Sequence, residues 1–172
     1  MIYIFKIIRH LVDRETVKFI YLALCQSILS YCIPIWGGAG STLMLSLERA
    51  QRTILKIMTH KRIRYPTNQL YSECGVLTVR QLFILRCVLR KHASLPLDIN
   101  ILDHRRASSH VCPTVRCRAV FAKRQYTALS SKLYNQIHTI SHIYTLNKFE
   151  VKNKITRYLL NMSYIDTEGL LK

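Results

Sequence analysis

YLALCQSILSYCIPIWGG (Tyr21–Gly38) is the stretch on which the fold turns. It carries no charge, and its apolar spacing is helical until a proline and a Trp-Gly-Gly turn stop it. That combination predicts a buried helix with a fixed end. Worked outward, residues 14–33 read as a first helix. Asp13 is placed to cap it and Glu15 suits its first turn, while Ile20, Leu24, Ile28 and Tyr31 keep the spacing of one core face. Gln26 falls on the more polar side. Pro34 cannot continue this helix, and Gly37 and Gly38 are free to take positive φ in the turn. Trp36 is the single tryptophan. It reads as the plug that locks the turn onto the core, with stacking on a nucleobase as the alternative.

The next run predicts a second helix from Thr42 to about His60, with Ser41 as its cap. Leu43, Leu47, Ala50, Ile54 and Ile57 form its apolar seam. Arg49, Arg52 and Lys56 occupy the other side, and the basic run continues into Lys61, Arg62 and Arg64. A solvated face and a phosphate-contacting face both account for that pattern. Tyr65-Pro66 forces an extended step, Thr67 is placed to cap a short helix through Cys74, and Gly75 suits its C-terminal close. Thr78 then caps a helix over Val79–His92, with Leu82, Leu85 and Leu89 on one face and Arg86 and Arg90 on another. Pro96 to Asn100 reads as a loop and a boundary.

Beyond Asp103 no carboxylate appears until Glu150. Thr114–Phe121 alternates, with Val115, Cys117, Ala119 and Phe121 on one side and Arg116 and Arg118 on the other. That is the period of a strand or an extended ribbon. Lys123 and Arg124 follow it. Tyr126–Ile137 and Leu146–Met162 return to helical spacing, the latter carrying Phe149, Ile155, Tyr158, Leu159 and Met162. The expected fold is mainly α: a helical bundle over 1–95, a basic and partly extended linker over 96–125, and a helical extension over 126–172.

Composition narrows the partner. The chain has 172 residues, of which 49% are hydrophobic, enough for a packed core. Its 26 Lys and Arg against 9 Asp and Glu give a net charge of +17. Self-repulsion of that size is tolerated most easily beside a polyanion, a phosphate backbone first and an anionic membrane second. Residues 19–47 hold no charge and are long enough to span a bilayer, but Gln26, Ser27, Ser30, Pro34 and the glycines interrupt them. Lys6, Arg9 and Arg14 break the opening apolar run, so it does not read as a cleavable signal peptide. The six cysteines, Cys25, Cys32, Cys74, Cys87, Cys112 and Cys117, are expected to be reduced thiols of an intracellular protein, nuclear or cytoplasmic.

Catalytic chemistry is not written in these residues. Polymerases hold two metal ions about 4 Å apart on carboxylates. The four aspartates, Asp13, Asp98, Asp103 and Asp166, are never adjacent. Tyr164-Ile165-Asp166 is followed by Thr167 and reads as a chance match to a polymerase motif. His110, Cys112 and Cys117 have spacing that zinc allows but lack a second pair, and His138 with His142 lacks the glutamate of an H-E-x-x-H site. No metal, cofactor or small-molecule substrate is expected, and no catalytic residue is assigned.

The order of these blocks resembles the thumb region of non-LTR retrotransposon reverse transcriptases of the jockey-like type. Tyr21, Leu24, Ser27, Tyr31, Trp36 and Gly37 fall on the family's thumb signature, with Cys32 where a glycine usually follows the tyrosine. Leu47, Gln51, Arg52 and Ile57 match its next helix. Tyr65, Pro66, Thr67, Leu70, Tyr71, Leu77, Arg80, Gln81 and Leu82 match its Tyr-Pro-Thr and Leu-x-x-Arg-Gln-Leu block. Cys112–Asn135 is similar to its basic tail, and Lys148, Phe149 and Lys152 to its closing helix. The resemblance implies a helical thumb-type bundle that braces an RNA–DNA or DNA duplex, with basic side chains on phosphates and no reading of sequence. The backbone-contacting set it implies is Arg49, Arg52, Lys56, Lys61, Arg62, Arg64, Arg86, Arg90, Arg116, Arg118, Lys123 and Arg124, with Trp36, Gly37, Tyr65 and Pro66 in structural roles. The palm and fingers with the catalytic Tyr-x-Asp-Asp would lie upstream, so the chain is expected to be a fragment of an RNA-directed DNA polymerase, inactive alone. Two other expectations stand beside it: a small basic membrane-associated protein with residues 19–36 inserted, and a translated relic without function.

Overall fold

The computed structural model describes residues 1–95 and 112–171, and among them every regular element is helical. A short α1 (Ile2–Ile8) precedes α2 (Arg14–Tyr21), which runs through a π turn (Leu22–Gln26) into α3 (Ser27–Ser30). After a break come α4 (Ile33–Trp36), α5 (Ser41–Met58), α6 (Thr67–Cys74) and α7 (Val79–Ala93). The second half holds α8 (Val120–Arg124), α9 (Tyr126–Ser141), α10 (Lys148–Leu160) and α11 (Tyr164–Leu171). The mainly α expectation holds.

The cap signals act where the sequence puts them. Asp13 accepts the Thr16 amide at 3.1 Å, and Gly75 closes α6 in the left-handed region at φ 59°. Thr78 and Gln81 form a reciprocal capping box at the start of α7. Asn147 and Glu150 form another on α10, a cap the sequence pattern had not assigned. Thr67 is an exception, because Pro66 takes the cap position of α6 without a side-chain bond.

α7 is the centre of the molecule. It is buried almost all round, with Arg86 and Arg90 as its exposed strip, and α3, α4, α5, α9 and α10 pack against it. Its Val79, Leu82, Phe83, Ile84, Val88 and Leu89 join Leu133, Ile137, Val151, Ile155 and Leu159 in one core. Each such side chain contributes roughly 1.5–3 kcal/mol of burial before entropy is subtracted. A second core joins α1, α2, α5 and α6 through Phe5, Tyr21, Leu55, Leu70 and Tyr71. The sequence pattern had not assigned α1, whose Phe5 meets the Tyr21 ring edge-on at 6.5 Å.

Several expectations are overturned. The helix expected over 14–33 ends at Ser30, where Tyr31 turns extended and Cys32 goes left-handed at φ 49°. Its buried face is Val17, Tyr21, Cys25 and Ile33, whereas Leu24, Ile28 and Tyr31 are exposed, Ile28 by 62%. A spacing of four drifts by about 40° per step on a regular helix. The wider π turn at Leu22–Gln26 takes up that drift and holds the 17, 21, 25 row inward. Gln26, read as lying on the more polar side, has its Oε1 enclosed without a protein partner. The α5 seam is also one residue away from the expected one: Met44, Glu48, Gln51, Leu55 and Met58 are buried, and Leu43 and Ala50 are exposed. Gly40 rather than Ser41 precedes that helix.

Of the strand or extended ribbon expected over Thr114–Phe121, residues 113–118 have no regular structure and no strand pairing, the end enters α8, and Val115 is exposed, so the alternation there was not a packing signal. Phe149 is 70% exposed at the start of α10. Gly37 is not at positive φ (−66°). Its lack of a side chain serves close approach instead, since a Cβ there would stand 2.3 Å from Phe83. At Gly38 a Cβ would meet the Arg124 carbonyl oxygen at 2.2 Å. The boundary expected at Pro96–Asn100, Arg105, Arg106, His110 and the Phe121 side chain lie outside the described residues.

Candidate nucleic-acid interface

The blocks that carry the resemblance meet at one side-chain amide. Gln51 is buried on α5 and uses all of its polar capacity. Its Nε2 donates to the Tyr21 hydroxyl at 2.9 Å and to the Leu77 carbonyl at 2.9 Å. Its Oε1 accepts from the Tyr71 hydroxyl at 2.8 Å and from the Val79 amide at 3.2 Å. Burial pushes the Tyr21 phenol up to about 12, against the pull of its bond with Gln51, and raises Tyr71 as well. Both therefore stay protonated donors or acceptors at any physiological pH.

A second junction sits next to it. Arg80 on α7 pairs with Glu48 at 2.6 Å and with Glu168 of α11, and its guanidinium lies 5.7 Å from the Tyr164 ring centroid. Gln81 donates to the Leu159 carbonyl at 2.6 Å and so ties α7 to α10. Arg80 and Gln81 are thus structural fasteners, not surface contacts. Asp166 accepts from Ser163 at the start of α11, so the Tyr164-Ile165-Asp166 triplet is helix-starting chemistry.

The four structural assignments differ in burial. Gly37 is buried, whereas Trp36 is half-buried against the core and donates from Nε1 to the Tyr31 carbonyl at 2.7 Å. It clamps the turn rather than filling the core. Tyr65 donates to Glu73, and Lys61 sits 4.2 Å over its ring while pairing with Glu73 at 2.9 Å. Those two partners, Tyr65 first, hold the Glu73 carboxyl below its ordinary value. Pro66 stands exposed at the cap of α6.

The cations then divide by what holds them. Among the described residues, ion pairs engage Lys61 and Arg80 alone. Lys56 donates to the Ile63 carbonyl and Arg52 to the Thr67 hydroxyl at 3.4 Å, so both are tethered with their charge uncompensated. Arg49, Arg62, Arg64, Arg86, Arg90, Arg116, Arg118, Lys123 and Arg124 are exposed. Most carboxylates of the described residues go the other way: Asp13, Glu150 and Asp166 are used in caps, and Glu48, Glu73 and Glu168 in pairs, with Glu15 left exposed in the first turn of α2. What faces solvent is strongly positive.

Two grooves collect these cations. In one, of about 650 Å³, Arg86 and Arg90 of α7 and Lys148 of α10 face Ser30, Tyr31 and Pro34 across the gap. Arg90 is held there by the Tyr126 ring, 4.9 Å away. In the other, Lys123, Arg124 and Lys132 line a groove with Thr114 and Cys117. Arg49, Arg62 and Arg64 line neither. The pairing of Lys148 with Arg86 was not legible in the sequence, since it comes from α10 packing along α7.

All six cysteines are free thiols. Burial raises the Cys87 thiol to about 12, and raises Cys25, Cys74 and Cys112 too, which suits inert core groups. His138 and His142 stand with ring centroids 6.0 Å apart, and no group of three metal-ligating side chains occurs among the described residues. No helix among them is long and apolar enough to cross a membrane. Comparisons with known protein families, with curated proteins and with solved structures give no match for this chain.

Proposed function

We propose that the chain is a thumb-type piece of an RNA-directed DNA polymerase from a non-LTR mobile element, binding the primer–template backbone without reading its sequence. The observation that carries this reading is the Gln51 junction. Residues of three separate blocks of the resemblance, Tyr21, Gln51, and Tyr71 with Leu77, converge there on one saturated amide. Position 32 supports the same reading. The family usually has glycine after the tyrosine, and Cys32 occupies the left-handed backbone region that favours glycine. Polymerase chemistry would belong to the palm and fingers with which this domain would act, and the six thiols suit a reducing nuclear or cytoplasmic setting.

The partner follows from charge. Exposed, uncompensated cations spread over α5, α7 and residues 116–124 offer phosphate contacts and no base-reading element. Fluorescence titration of an RNA–DNA hybrid tests this. If about five phosphates are neutralised, log K falls with log salt at a slope near −4.5. A flat salt response, or strong discrimination among scrambled duplexes, would sink the proposal.

A further inference from the structure

We infer that the groove between Tyr31 and the α7 cations is a seat for a single strand of nucleic acid, its phosphates on Arg86, Arg90 and Lys148 and a base on the Tyr31 ring. This rests on the reading that the basic surface binds nucleic-acid backbone, and it goes further by naming the form of the strand and the residues that hold it.

Three observations support it. First, the groove's walls differ. One is cationic, from α7 and the start of α10, and the other presents Tyr31 and Pro34 from the break between α3 and α4. Non-specific single-strand sites combine those two components, a positive track for the backbone and an aromatic face for bases. Second, the Tyr31 ring is 76% exposed, with Ile28 (62%) and Ile35 (77%) also exposed along the same stretch. The backbone break exposes it: Tyr31 is extended, Cys32 is left-handed, and Trp36 fixes the turn by bonding the Tyr31 carbonyl. The ring is therefore presented on a held backbone and not on a loose loop.

Third, the dimensions favour one strand. A volume of about 650 Å³ lies within the range of pockets that hold one small ligand, roughly 300–1,000 Å³. That is room for a short piece of strand. Arg86 and Arg90 are four residues apart on one helix, about 6 Å along its axis, so both can follow the backbone of one strand. Arg90 is steadied by the Tyr126 ring, which lowers the entropy lost when it contacts a phosphate.

The test is fluorescence anisotropy on the full chain with a labelled oligothymidylate of about ten residues and, separately, a hairpin duplex. Tyr31→Ala is expected to weaken the single strand about 5- to 150-fold with little effect on the duplex. Arg86→Gln with Arg90→Gln is expected to flatten the single-strand salt slope by about 1.4. All three side chains are exposed, and circular dichroism confirms that each variant keeps its helices. Unchanged single-strand affinity in Tyr31→Ala, or an equal loss on the duplex, overturns the inference. If the parent chain binds the duplex steeply with salt while Tyr31→Ala changes nothing, this groove alone fails. If the parent binds neither probe, the backbone-binding reading beneath it fails too.

Discussion

Gln51 shows how much one polar side chain can organise. Its four hydrogen bonds join α2, α5, α6 and the start of α7, and all of its partners are buried. Gln51→Leu keeps the volume and removes the bonds. Each buried group left unsatisfied costs about 1–3 kcal/mol, so stability should fall by about 3 kcal/mol or more, read as a lower urea midpoint. An unchanged midpoint would mean the amide is incidental. Cys32 offers the opposite case. A left-handed residue with a Cβ costs about 1–2 kcal/mol, partly offset by the greater freedom of an unfolded glycine. Cys32→Gly should therefore stabilise the chain by up to about 1 kcal/mol, while Cys32→Ala, which keeps the Cβ, should be near neutral. Neither site was legible from periodicity, which weighs apolar residues and passes over a buried glutamine.

At the scale of elements, what the sequence reveals depends on whether the signal is local. The cap at Thr78 and the glycine at 75 were readable because capping needs residues only three or four apart. Helix phase was not. Leu43, Leu47 and Ile54 compete with Met44, Leu55 and Met58 for the buried side of α5, and the choice falls to Gln51 and Glu48 through distant partners. α9 adds a chemical consequence. His138 is buried, stacked 6.3 Å from Tyr134 and edge-on to His142 and Tyr144. Burial, then the charge of His142, lowers its pKa from 6.5. A base whose folded pKa is depressed is protonated first in the unfolded state. Stability is then fully present above about pH 6.5 and declines as pH falls towards the folded value. For one proton the slope cannot exceed about 1.4 kcal/mol per pH unit. Urea midpoints at pH 7.5 and 5.5 should differ in the parent and converge in His138→Phe; equal pH dependence in both would remove His138 as the cause.

For the whole molecule the governing quantity is a charge of +17, with six carboxylates of the described residues drawn into caps and pairs. Such a surface repels itself in the folded state, and two agents relieve it differently. Salt screens exposed charges over about 10 Å at 0.1 M and should raise Tm modestly, saturating as screening completes. A nucleic-acid duplex, if it is the partner proposed above, would bind the folded surface and stabilise it by mass action, about 2.7 kcal/mol at a hundred times its Kd. For a chain of this length that is a Tm increase of about 5–10 °C. The two effects should also oppose each other. Salt weakens the duplex complex by competing for phosphates, so the increment given by duplex should shrink as salt rises, even while the free protein grows more stable. Differential scanning fluorimetry at low and high salt, with a hybrid and with a scrambled duplex, resolves the four conditions. The expected pattern is equal increments for both sequences at low salt, and loss of both at high salt. An increment that survives high salt, or one confined to a single sequence, would mean that recognition does not run through the backbone. The cations on α5, α7 and residues 116–124 would then be a solvated surface and nothing more.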